Sequence, residues 1–154
     1  MNRIILIGNG FDLAHGLPTK YEDFIKWYYS EWFYKLENSD RSIESDGLCT
    51  FTLDSNSSSW HHELTKWARV NQGKYFAEGI RDLQDTGKCK RSSFLDEICK
   101  VVETKNWVDI ENEYYKFLRS FLGNAPLYTN PNILNNELNS IKLKLIEYLV
   151  SIQD

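Results

Sequence analysis

The sequence has 154 residues, of which 42% are hydrophobic, 26% charged and 14% aromatic, with only 8 Gly and 3 Pro. That fits one globular domain and excludes collagen-like, low-complexity and wholly disordered chains. A net charge of −4 and a pI near 5.4 leave no basic footprint for nucleic acid and no polybasic patch for a membrane.

The chain opens with the apolar run Ile4-Ile5-Leu6-Ile7, which stops at Gly8. This is the pattern of a strand covered on both faces, as in a parallel sheet. It is too short for a signal-peptide core or a transmembrane helix. Gly8-Asn9-Gly10-Phe11-Asp12-Leu13-Ala14-His15-Gly16-Leu17-Pro18 then forms a glycine turn leading into a short helix. Thr19 and Glu22 have capping-box spacing, and they predict a following helix with the stripe Tyr21, Phe24, Ile25, Tyr28, Trp32 and Leu36.

Residues 38–59 are rich in Ser, Asp and Asn and read as a long loop, with Cys49 to Leu53 as an edge-strand candidate. Ser59 caps a helical face made by Trp60, Leu64, Trp67 and Ala68, while residues 70–92 are polar and ambiguous, broken by Gly73, Gly79 and Gly87. A short helix is expected around Phe94, Leu95, Ile98, Cys99 and Val102. Asn106 is placed as the cap of a helix carrying Trp107, Ile110, Tyr114, Phe117, Leu118 and Phe121, closed by Gly123. Asn130-Pro131 opens the last helix. Its row Leu134, Leu138, Ile141, Leu145, Tyr148 and Ile152 forms a seam for another helix or subunit. Three cysteines without a C-x-x-C pair argue against a disulfide framework or zinc ribbon, and for reduced thiols in the cytoplasm.

A strand, a glycine turn and a helix make an anion cradle, because glycines admit backbone N–H groups to a phosphate and the helix N-terminus adds partial positive charge. Leu13 stands where the dinucleotide fingerprint needs glycine, and no Gly-Lys-Ser/Thr follows. The pattern is G-x-G-x5-G-L-P, which a tight strand-to-helix turn alone would also explain. Asp12 suits a ribose hydroxyl or a helix cap, and His15 a ligand contact or a structural role. Within the helix expected after Asn106, Glu111 falls in the apolar stripe, where a carboxylate is either paired or beside a cleft. Asp109 falls roughly opposite, in a capping position. His61, His62 and Glu63 are consecutive and fan too widely on a helix to bind one metal, so no metal site is expected.

Ile4 to Phe24, I-I-L-I-G-N-G-F-D-L-A-H-G-L-P-T-K-Y-E-D-F, resembles the amino-terminal signature of the AbiH family, proteins associated with abortive infection against phage. Asn106 to Glu111, N-W-V-D-I-E, resembles that family's acidic tryptophan motif. More distantly, G-N-G-x5-G-L-P is similar to the G-A-G-x5-G-I-P turn of sirtuin-like NAD-binding proteins. That likeness implies NAD or a related nucleotide as cofactor. Gly8, Asn9, Gly10, Phe11 and Asp12 would line its phosphates and ribose, with Pro18 and Thr19 closing the loop.

If the acidic motif is catalytic, Glu111 suits a polarising or general-base role, with Asp109 beside it. Thr19-Lys20-Tyr21 replaces the sirtuin Asp-Phe-Arg, and the sirtuin Asn-Asp segment and separate His-Gly motif have no counterpart. The catalytic set is therefore incomplete, and any NAD-consuming activity is expected of a longer parent protein. AbiH proteins are longer and carry further motifs towards the C-terminus. Together with the single secure strand, this makes the chain read as a single domain, or the N-terminal portion of one.

The expected fold is thus α/β and predominantly helical in this segment, the N-terminal part of a Rossmann-like parallel-sheet domain. The expected function is phage defence through a nucleotide-binding toxic effector, with a phage-derived trigger and an oligomer or the missing remainder as partners. The alternative is a non-catalytic interaction or phage-sensing module acting through its aromatic helices, which the C-terminal seam and the incomplete catalytic set suggest.

Overall fold

The computed structural model describes residues 16–39, 42–52, 74–105, 108–123 and 128–153. The strand expected at residues 3–7, the Trp60 to Ala68 helix face and Trp107 lie outside these.

The first helix, α1, runs Tyr21–Glu37. The predicted stripe is its inner face: Phe24, Tyr28, Trp32 and Leu36 are buried, joined by Tyr29 and Phe33, with Tyr21 and Ile25 packed at the margin. The start differs from expectation. The cap position is Lys20, which makes no side-chain cap, and Glu22 pairs with Lys26 at 2.7 Å one turn on instead of reaching back to Thr19.

The stretch expected as a loop contains a hairpin, β1 (Ile43–Ser45) and β2 (Cys49–Thr52), with Glu44 opposite Phe51. Its polar composition misled because the turn is built from those polar residues. The Asp46 Oδ1 accepts from the Leu48 and Cys49 amides, each at 2.9 Å, and Gly47 supplies a φ of +87°. The ambiguous stretch resolves into α2 (Lys74–Asp85) and β3 (Cys89–Arg91). The breaker Gly87, at φ +71°, ends α2: its amide donates to the Gln84 carbonyl at 2.9 Å, and that of Lys88 to the Leu83 carbonyl at 2.8 Å. This double closure satisfies two terminal carbonyls and turns the chain directly into β3.

The sheet of these three strands corrects the expected architecture. Its order is β1-β2-β3 and both pairings are antiparallel, with Cys49 opposite Arg91 and Phe51 opposite Cys89. It is not a parallel Rossmann-like or sirtuin-like sheet, and β2, the expected edge strand, is central. The three-residue turn between β1 and β2 permits only an antiparallel pair, since parallel pairing needs a long crossover. β3, separated from β2 by 36 residues in sequence, also pairs with it antiparallel.

Three further helices complete the described core: α3 (Ser93–Lys105), α4 (Ile110–Ser120) and α5 (Pro131–Ser151). The short helix expected around Phe94 is α3, capped by the Ser92 hydroxyl, which accepts from the Leu95 amide at 3.3 Å. Asn130 caps α5 as expected, accepting from the Asn132 amide at 2.8 Å. The predicted α5 seam packs within the chain: Leu134, Ile141 and Tyr148 are buried, and Leu138, Leu145 and Ile152 lie against the core.

Aromatic edges knit the layers. Trp32 meets Phe51 with centroids 4.9 Å apart, and Phe117 stands edge-on to Phe94 at 5.6 Å. Cys49, Cys89 and Cys99 are free thiols, all buried. Among the described residues, no helix is long and apolar enough to cross a membrane.

Candidate functional site

The glycine-turn segment enters the described structure at Gly16, whose φ of +79° is a backbone state that side-chain-bearing residues avoid. The Thr19 amide donates to the Leu17 carbonyl at 2.9 Å, folding the turn tightly before the first helical bond, Phe24 N–H to Lys20 carbonyl at 3.1 Å. Across the fold, the Tyr148 hydroxyl donates to the Pro18 carbonyl. The exit of the turn is thereby tied to the C-terminal part of α5, 130 residues away in sequence.

The described part of the acidic motif begins at Val108. Val108 is buried and anchors the segment. Asp109 is the N-cap of α4, its Oδ1 accepting from the Asn112 amide at 3.0 Å. Asp109, expected three residues inside a cap at Asn106, is itself the N-cap, because α4 begins at Ile110.

That later start revises Glu111. Its place in the apolar stripe was counted from Trp107, one turn earlier. The inner face of α4 instead runs through Ile110, Glu113, Tyr114, Phe117 and Leu118, and Glu111 is exposed. The buried carboxylate of this helix is Glu113, 3% exposed, which the Lys116 ammonium meets with bonds of 2.7 and 2.8 Å to its two oxygens. Glu111 is thus open to solvent.

Tyr21 joins the two motifs. It is the first residue of α1, directly after Gly16-Leu17-Pro18-Thr19-Lys20, and it is half-buried. Burial first, then the negative charges of Asp109 and Glu111, push its phenol above the ordinary tyrosine range. Both carboxylates of the acidic motif therefore lie within electrostatic reach of the turn's exit. Sequence reading placed Tyr21 only in a packing stripe; its position, immediately after the glycine turn, was the available signal.

Of the residues expected to hold a nucleotide, Pro18 and Thr19 are described and border this corner. Gly8, Asn9, Gly10, Phe11 and Asp12 lie outside the described residues, as do His15, His61, His62 and Glu63. Among the described residues, no group of three or more His, Cys, Asp or Glu side chains is placed to hold a metal ion.

A second buried carboxylate was not anticipated either. Glu137 of α5 accepts from the Tyr128 hydroxyl at 2.6 Å and from the Phe94 amide at 3.3 Å. It therefore caps α3 from a distance, its charge suited to the positive end of that helix. Burial and the Glu137 charge together drive the Tyr128 phenol far above its usual range. This cluster is internal and fully used in holding α3, α5 and Tyr128 together.

No curated protein and no solved structure shows a significant match to the chain. The sequence model of one family, Bacteriophage abortive infection AbiH, matches residues 4–148. Its span takes in both the glycine-turn segment and the acidic segment, and it covers most of the chain. The chain belongs to the AbiH family, the proteins of bacteriophage abortive infection.

Proposed function

We propose that this phage-defence protein binds a nucleotide, NAD or a relative such as ADP-ribose, at the corner where the glycine turn meets the acidic motif. The observation that carries the reading is Tyr21: it follows the turn directly and feels the charges of both Asp109 and Glu111. In this arrangement the backbone amides of Gly8 to Phe11 receive the phosphates. Carboxylates repel phosphate, so Asp12, Asp109 and Glu111 serve the other end of the ligand, accepting from ribose hydroxyls. Glu111, exposed and without a partner among the described residues, is the group able to act as a base on such a hydroxyl. Pro18 and Thr19 hold the loop in place, the former through the Tyr148 hydroxyl.

Calorimetric titration of the full chain with NAD, ADP-ribose and ATP tests this. Binding by the wild type is expected, with loss in Gly10→Val, whose side chain would block approach to the phosphate, and weakening of about tenfold in Glu111→Gln. A stably folded protein that takes up none of the three nucleotides contradicts the reading.

The alternative, an interaction module, draws no support from the α5 seam. Leu138 and Leu145 are packed against this chain's own core.

A further inference from the structure

A separate groove of about 210 Å³ lies between the middle of α1, the β1–β2 turn and the second half of α5. Trp27 and Trp32 form its walls, and Glu31, Asp46 and Glu147 lie along it with Lys35 and Lys144. It is smaller than the roughly 300 Å³ at which drug-sized ligand sites begin, and so suits a single side chain or small ion rather than a nucleotide.

The charges in the groove are unequally committed. Lys35 pairs with Glu44 at 3.0 Å, outside the groove lining, and Lys144 pairs with Glu147 at 2.7 Å. Glu31 is exposed and has no ion-pair or hydrogen-bond partner among the described residues. Asp46 is held rigidly, accepting from the Tyr28 hydroxyl at 2.9 Å as well as from the two turn amides. With both ammonium groups already answered, the uncommitted charge facing the groove is negative. The rings are also of the kind that take cations: the Lys35 ammonium already sits 4.5 Å from the centre of the Trp32 ring.

We propose that this groove is a binding site for an organic cation of the guanidinium or alkylammonium class, seated against Trp27 with its charge answered by Glu31. A small free cation and an arginine or lysine side chain of a peptide share this chemistry. The site is independent of the nucleotide reading, and its ligand has the opposite charge.

The test follows the indole N–H resonances of Trp27 and Trp32 in the full chain. The probes are N-acetyl-arginine amide, its neutral isostere N-acetyl-citrulline amide, and the tripeptide acetyl-Gly-Arg-Gly-amide. The arginine probe is expected to shift both resonances saturably, with the citrulline probe about tenfold weaker and added salt lowering the affinity. Glu31→Gln, at an exposed position, is expected to weaken binding severalfold with the unfolding midpoint unchanged. Equal affinity of amide and tripeptide assigns recognition to the cationic head alone, and a tighter tripeptide assigns it to a peptide. Equal response to arginine and citrulline, or no saturation by about 50 mM probe, or indifference to Glu31→Gln, overturns the proposal.

Discussion

Tyr21 is held half out of solvent at the head of α1, with the charges of Asp109 and Glu111 close by. Its raised phenol pKa means that the neutral hydroxyl persists throughout physiological pH, available to donate to a ligand's oxygen. Tyr21→Phe keeps the packing and removes the donor, so nucleotide affinity should fall about three- to tenfold in titration while the thermal midpoint stays put.

Asp96 offers a pH test at the same scale. Partial burial opposes its charge, yet the Lys100 ammonium and the Arg91 guanidinium, at 2.7 and 2.9 Å, prevail and hold its carboxyl below the ordinary range. A carboxyl lowered on folding stabilises the native state above its unfolded value, about 3.9, and that contribution fades as the pH falls through the lower folded value. The difference in unfolding midpoint between wild type and Asp96→Asn should therefore be full at pH 7 and shrink below about pH 4. A gap that does not change with pH would refute this account of the ion pair.

Helix faces were the elements most legible in the sequence, because the 3.6-residue period survives any error at the ends. Phe24, Tyr28, Trp32 and Leu36 were found from spacing alone, as were Leu134, Ile141 and Tyr148. Helix starts were less legible. T-x-x-E spacing at Thr19 and the Asn106-Trp107 pair both gave plausible caps, but α1 begins after Lys20 and α4 after Asp109. For α4 the shift mattered, since it turned Glu111 outward and Glu113 inward. The strands were hidden for another reason. β1 and β3 are three residues each, too short for alternation to rise above the polar residues that build their turns.

Two element-level outcomes follow. Gly87→Ala must place a side chain at φ +71° and should cost about 1–2 kcal/mol of unfolding free energy. On α5, Leu145→Lys puts a charge against the core and should cost about 2–4 kcal/mol. By contrast, Leu143→Lys, at a position 61% exposed, should stay within about 0.5 kcal/mol. Denaturant melts of the two α5 variants distinguish an inner from an outer row; equal losses would mean that the faces are assigned wrongly.

At the scale of the molecule, the family was carried by two short motifs, Ile4 to Phe24 and Asn106 to Glu111, and the match over residues 4–148 agrees with them. The sheet was not recoverable in the same way. An apolar run and a glycine turn imply a parallel sheet by analogy, but the strands described pair antiparallel, β1 with β2 through a local turn and β2 with β3 across 36 residues. The antiparallel sheet packs its Phe51 against Trp32 of α1. The candidate site was legible as two separate lists of residues. The contact of Tyr148 with Pro18, 130 residues apart, is of a kind that no local pattern announces.

The most direct measurement is a backbone amide chemical-shift titration of the full chain with ADP-ribose. If the glycine turn and the acidic motif form one ligand site, the amides of residues 8–12 and 109–111 will shift together along a single saturation curve. Shifts confined to one of these segments, or two curves with different midpoints, would contradict it.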